Sequence, residues 1–415
     1  MAIRTACRGL LGVCLLGLLV GWGCRRTDPE LAAELRKEVD GWFEGLPKVP
    51  DAENGALEIM KGTAALDELP LAMRRYKSFD PRKAEEAEAV RGYLERNREA
   101  IRTIEKGLGF EKFTYIRESD RRAGVVIPSI QGLRYAAQIF FLKGQLAAAD
   151  GLTAKAAEEY GKSVSLGVSL SRDPFLVTSM VSHAICRVGL DPLMALLSTP
   201  PSSPSEPEAI LKALLRLQAR RGSLRDGLDG EYFGFQLKEL ARVAAGESDF
   251  RSDFREDYAI LKQWRAFYLN ANPARFHEAP PEVREQRVEE KLGMADRKDA
   301  VFSKVALPSL GKTIVAAACH EAVWRGVLTL AAVRLFQARE GRLPKDLAEL
   351  GSLVPEDLRT DPFTGKPLLY APAGESFLLY SAGVNCRDDW GRASFLAHED
   401  SYLLAGQADI VFHKP

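Results

Sequence analysis

Several residue pairs in this sequence have the look of chemistry, and most fail on spacing. His320-Glu321 opens like the zinc signature HExxH, but the fourth position onward is Trp324, and one imidazole cannot build that site. Gly161-Lys162-Ser163 and Gly311-Lys312-Thr313 end like phosphate loops. Such a loop needs another glycine five residues before its Gly-Lys pair, and those positions are Ala156 and Ala306. No GxSxG occurs, and no GxGxxG follows a strand pattern. His183, in VSHAIC, and His320 read as core histidines. His277, His398 and His413 have no Cys or Ser partner near them in sequence. Paired acids recur throughout and carry no information about acid–base catalysis.

Cys24 has a context of its own. Arg4 and Arg8 lie in an N-terminal stretch without acids, Gly9 to Gly23 is apolar or glycine throughout, and Arg25-Arg26 follow the cysteine. A basic start and a short apolar run are the parts of a secretion signal. The run has 15 residues, against about 20 for a helix that crosses a bilayer. Gly21 and Gly23 before Cys24 resemble a lipoprotein signal, in which the thiol is acylated and becomes the new N-terminus. Gly21 stands where such signals usually have Leu. An uncleaved signal anchor is the competing reading. Cleavage before Cys24 leaves Cys24, Cys186, Cys319 and Cys386, whose spacing forms no CxxC and no metal knuckle. Cys186 and Cys319 sit in apolar helical contexts and read as small buried hydrophobes.

The elements around these residues follow from pattern. A chain of 415 residues is long enough for more than one core. Lys+Arg and Asp+Glu both number 57, a balance that argues against a nucleic-acid binder. Expected segments are a signal peptide at 1–23, a tether and linker at 24–50, a helical domain at 51–198, a proline–serine linker at 199–207, a helical segment at 208–307, and a core helix with a β module at 308–415. Residues 82–107 read as one charged helix. The charge-dense stretch Glu282–Lys298 reads as a solvated helix. Between Pro128 and Leu197, three apolar helices are separated by Asp150-Gly151 and Asp173-Pro174. Phe140, Gly144, Ala156, Tyr160 and Ser163 fall at positions resembling one tetratricopeptide-type hairpin. From Ile314 to Phe336 the sequence is apolar on most sides, with a narrow polar stripe of Glu321, Arg325 and Thr329. That pattern describes a helix buried on most faces.

After Gly341 the grammar changes to turns and short strands. DPFTGKPLLY, Asp361 to Tyr370, reads as a turn and a strand from Lys366; Ala371–Glu375 as a loop; Ser376–Ser381 as a second strand; and Gln407–Phe412 as a third. Gly341, Pro344, Asp361, Pro362, Gly365, Pro367, Tyr370, Tyr380, Ser381, Gly383, Ala408, Asp409 and Ile410 follow an order and spacing that resembles the C-terminal half of type II secretion major pseudopilins. The resemblance covers about the last quarter of the chain. The pilin N-terminal cleavage motif is missing, and the whole chain looks more like uncharacterised bacterial envelope lipoproteins in which a helical body carries this module.

Major pseudopilins bind calcium in the loop between the second strand and the closing Ala-Asp-Ile. The resemblance therefore implies a calcium site at Asn385, Asp388, Asp389 and Asp409, with a backbone carbonyl near Ala382 or Val384. Calcium takes six to eight oxygens of this kind. Here Asn385 replaces the family's first acid and Cys386 the glycine after it. The bland alternative is a solvated acidic loop whose aspartates cap turns.

These readings combine into a mostly α fold. A tetratricopeptide-like helical-hairpin body is followed by a small α+β module with a short antiparallel sheet. The expected function is that of an exported, membrane-anchored lipoprotein facing the periplasm or cell exterior, with a structural or protein-interaction role. Its expected partners are the membrane and other envelope proteins, with no nucleic acid and no catalytic residues. The alternatives are a calcium-dependent component of a secretion or pilus-like assembly, and an enzyme whose residues converge only in three dimensions.

Overall fold

The computed structural model describes residues 27–115, 130–247, 251–307, 310–392 and 409–415; Cys24 and the signal segment lie outside them. Asp28 accepts the Leu31 amide at 3.0 Å and Pro29 opens α1 (Pro29–Gly45), a capped start that fixes the first turn. Leu31, Ala32, Leu35, Val39 and Phe43 form one buried stripe. Where the sequence suggested a tether over 24–50, the chain is already locked into the larger core by this stripe.

A smaller core gathers α2 (Gly55–Ala64), α3 (Ala84–Arg96) and α4 (Arg98–Leu108). Residues 82–107 do not make one helix. Asn97 interrupts them because its side chain accepts the Asp67 amide at 2.7 Å and donates to the Tyr93 carbonyl at 3.0 Å. Helices α2 and α4 touch backbone to backbone. A Cβ on Gly62 would stand 2.8 Å from the Ala100 carbonyl oxygen, and one on Gly107 2.8 Å from that of Gly55.

Next come α5 (Ile130–Ala149), α6 (Thr153–Leu170) and α7 (Leu176–Leu197), the three helices expected here. Small residues let α5 and α6 approach closely. Tyr160 lies flat over Gly144, where a Cβ would meet the ring at 2.2 Å, and Ser163 donates to the Ala137 carbonyl at 2.9 Å.

The proline–serine linker is a corner. Helix α8 (Ser205–Gln218) starts inside it and folds back onto α6 and the long helix α12 (Leu310–Glu340). Between them lie α9 (Leu224–Glu231), a turn of π-helix at Tyr232–Leu237, α10 (Lys238–Ala244) and α11 (Phe254–Leu269). The charge-dense stretch is two one-turn helices, Pro281–Arg284 and Val288–Lys291. Its apolar residues Val283, Val288, Leu292 and Met294 are buried in the body. The larger core runs from Leu31 to Phe412 and crosses the expected boundaries at 50, 198 and 307.

Helices α7 and α12 are both long and apolar enough to cross a membrane, and α12 is covered by protein along most of its length. Against α12 packs an antiparallel sheet of β1 (Leu369–Ala373), β2 (Ser376–Ser381) and β3 (Ile410–His413), in that spatial order. Apart from one isolated bridge between Asn54 and Lys112, strand pairing among the described residues is confined to the chain after Leu358. β1 starts later than its sequence suggests, because the Lys366 carbonyl closes the preceding turn on the Asp361 amide at 2.7 Å. It also runs further, to a two-residue turn whose first position is Gly374 at φ +63°, the position a tight hairpin of this kind reserves for glycine.

Candidate functional site

The C-terminal module is organised by Asp361. Its carboxylate is fully buried and accepts three hydrogen bonds, from the Phe363 amide (2.9 Å), the Ser381 hydroxyl (3.0 Å) and the Ala382 amide (2.8 Å). The Asp-Pro turn is thereby stapled to the end of β2. Burial raises the Asp361 pKa, with those donors opposing the shift. Tyr370 anchors the preceding segment by donating to the Pro344 carbonyl at 2.9 Å. Motif residues far apart in sequence therefore hold one another in the fold. Replacing Asp361 by Asn leaves one oxygen where two had accepted from buried donors. The expected cost is about 1.5–3 kcal/mol, read as a lower urea midpoint with unchanged slope.

The loop after β2 carries the expected cation ligands. Asn385 donates to Asp389 Oδ2 at 2.8 Å, and its own Oδ1 accepts the Arg387 amide at 3.0 Å. Asp388 Oδ1 accepts from the Tyr380 hydroxyl and from the Trp390 amide, both at 2.8 Å. Asp409, just ahead of β3, accepts the Asp389 amide at 3.3 Å on one oxygen and the Gly391 amide at 2.8 Å on the other. Asn385, Asp389 and Asp409 thus share one corner, while the Asp388 carboxylate turns to Tyr380 and Trp390. Burial raises the Asp409 pKa, the two amides oppose this, and the charges of Asp389 and Asp388 add to it. Among the described residues, no group of three or more His, Cys, Asp or Glu side chains is arranged to hold a metal ion. Calcium at Asp409 would have to share or displace its amide donors.

The same loop holds two non-glycine residues at positive φ, Cys386 at +56° and Trp390 at +61°. A bulky side chain there is strained. Trp390 is also 77% exposed. Hydrogen bonds to Asp388 and Asp409 on either side fix the backbone that presents this indole to solvent.

Beneath the module lies a second polar cluster, centred on the α12 stripe. Glu321 bridges Arg221 (2.8 Å) and Arg325 (2.8 Å). Arg325 also donates to the Thr360 carbonyl at 2.6 Å and the Ala274 carbonyl at 3.0 Å. The ion triad therefore ties α12 to the loop after α8, to the turn at Pro273–Glu278 and to the residue before Asp361. Nine residues further along α12, buried Arg334 donates to the Leu197 and Ser198 carbonyls, each at 2.7 Å. It lies 3.3 Å from His413 Nε2 and covers the Phe377 ring. It caps α7 and fastens both β2 and β3 to it.

His183 and His320 stack face to face, with centroids 4.2 Å apart, and Nδ1 of each is buried without a hydrogen-bond partner. Burial pushes the His183 pKa down to about 3; Arg221 adds to this and Glu321 opposes it. His320 is lowered by burial, then by His183, Arg221 and Arg187. A histidine that stays neutral in the fold contributes stability above its unfolded pKa, and that contribution is lost as pH falls from about 6.5 toward 3. At pH 5 the loss attributable to His183 is about 2 kcal/mol. His183→Phe should keep the stack without the titration. Its stability relative to wild type should therefore improve by about that amount between pH 8 and pH 5, measured by urea unfolding at each pH.

Sequence reasoning missed Arg334 and Asp173. Arg334 carried a signal, a single charge inside an apolar run. Asp173 was legible only as the first residue of the Asp173-Pro174 break. It is buried ahead of α7 with neither carboxylate oxygen paired, and burial pushes its pKa up to about 7. Cys186, Cys319 and Cys386 are free thiols. A shallow dent lined by Phe113, Ser169, Arg172 and Arg220 among others has no interior room even for one water molecule, far short of the roughly 300 Å³ at which small-molecule pockets begin. No protein-family model matches this chain, and no curated protein or solved structure matches it.

Proposed function

We propose that this chain is an exported, membrane-tethered cell-envelope protein with a structural or protein-interaction role, facing the periplasm or cell exterior. The observation that carries the reading is the Arg-flanked apolar run from Gly9 to Gly23 that ends on Cys24. Two features support an interaction role. Trp390 is held exposed on a strained loop, and tryptophan is over-represented among residues that dominate binding at interfaces. The α5–α6 pair, with Tyr160 over Gly144, reads as one tetratricopeptide-like hairpin, a class of unit whose stacks form binding surfaces. Fractionation and in-cell crosslinking test the proposal. The protein should stay with membranes in high salt, leave them in detergent, and crosslink to other envelope proteins. Recovery in the soluble fraction would reject it.

A calcium-dependent assembly role is the second reading: Asn385, Asp389 and Asp409 share one corner of the loop after β2, and a cation there would have to displace the amides that Asp409 accepts. Calcium at about one hundred times its dissociation constant would add about 2.7 kcal/mol. The melting temperature should rise with calcium, and Asp409→Ala should remove most of the rise. Magnesium should do less, since it gives up its water reluctantly. An unchanged melting temperature between chelator and millimolar calcium would reject the site.

A further inference from the structure

The first described residue, Thr27, stands three positions after Cys24, and the chain is fixed there at once. The Asp28 amide donates to the Ala244 carbonyl at 2.8 Å, and the Asp28 carboxylate caps α1 and pairs with Arg255 at 2.7 Å. Thr27 lies against Gly246, where a Cβ would come within 2.9 Å of its methyl group. Behind it α1 is buried in the larger core. Three extended residues reach about 10 Å, so a membrane holding residue 24 can stand no further than that from rigid structure.

We propose that the end of the body formed by the N-terminus of α1, the C-terminal end of α10 and the N-terminus of α11 rests on the lipid headgroup surface, so that the anchor sets the orientation of the protein as well as its location. The occupant of this face is the membrane because the tether ends here and is too short to allow another. Arg255 pairs with Asp28 and Glu30, and Arg36 with Glu247, so these two arginines offset all but one of the three acids they pair with. Arg25 and Arg26, at the boundary itself, add local attraction. The inference rests on reading Cys24 as the membrane edge. It holds whether acyl chains or an uncleaved apolar segment does the holding, because either places that edge beside Cys24.

The test uses the full-length membrane-held protein in vesicles of phosphatidylethanolamine with a minority of phosphatidylglycerol and a headgroup-linked nitroxide quencher. Exposed Cys386 is first replaced by Ser, and a fluorophore is attached at Glu30→Cys or at Glu375→Cys, in the turn of the sheet that packs on α12. Intact mass and flotation establish first whether the chain is acylated, uncleaved or neither. The label at 30 should be quenched several-fold more than the label at 375. A long Gly-Ser insertion between Cys24 and Thr27 should abolish the difference. An anchored chain with equal quenching at both sites, or with quenching unaffected by the insertion, would overturn this orientation alone. A chain that is neither acylated nor held by its apolar segment would overturn the anchor and the orientation together.

Discussion

Cys24→Ala is expected to abolish acylation, an all-or-none change. The thiol is the acceptor, and alanine offers no nucleophile. The folded body should not notice. The first core residue among those described is Leu31, so the stability of the variant should match wild type within about 0.5 kcal/mol. Metabolic labelling with a palmitate analogue reads the first effect and urea unfolding the second. Equal label in wild type and variant, or none in wild type, would sink the lipoprotein reading. Retention of an unlabelled wild type at full length would select the signal anchor instead.

What the sequence made legible depended on how far apart the interacting residues lie. Helices announce themselves within a few turns, so α5, α6 and α7 could be placed from apolar spacing and from the breaks at Asp150-Gly151 and Asp173-Pro174. The sheet was legible because proline and glycine act on their own backbone. A short helix was legible in the segment from Asp28 to about Pro50, but its docking was not, because charged residues surround a stripe of five apolar ones, and nothing local says that this stripe meets α10 and the π-turn about 200 residues later. The same reason hid Asp361. Its motif could be listed, but its partners Ser381 and Ala382 are about twenty positions away and are set by the fold. At the acidic loop, the corner shared by Asn385, Asp389 and Asp409 was foreseeable from their order. The amides that occupy Asp409 were not, because they depend on the positive φ of Trp390 and Gly391.

Glu321→Ala should be among the most damaging single substitutions in the body. The variant removes the carboxylate that Arg221 and Arg325 share and leaves two guanidinium groups facing an apolar void. Arg325 would keep the Thr360 and Ala274 carbonyls. Arg221 would keep Gln218, at 2.9 Å, and the face of Trp324, at 4.5 Å, but no carboxylate. Breaking a buried ion pair on one side costs about 3–5 kcal/mol, a large part of the roughly 5–15 kcal/mol that holds a domain folded. Glu321→Gln should cost less, since its amide oxygen still accepts from one arginine. The pH dependence follows from the same geometry. Burial alone would raise the Glu321 pKa, but the charges of Arg221 and Arg325 outweigh it and hold the carboxyl below its ordinary value. A lowered folded pKa means that the ionised group stabilises the fold above the unfolded value of about 4.5, and that this contribution fades as pH falls through the folded value. The gap between wild type and Glu321→Ala should therefore be full at pH 7 and narrow in acid. Urea unfolding of both proteins across that range measures it. An alanine variant within about 0.5 kcal/mol of wild type at pH 7 would show that the triad does not fasten the helical body to the C-terminal module.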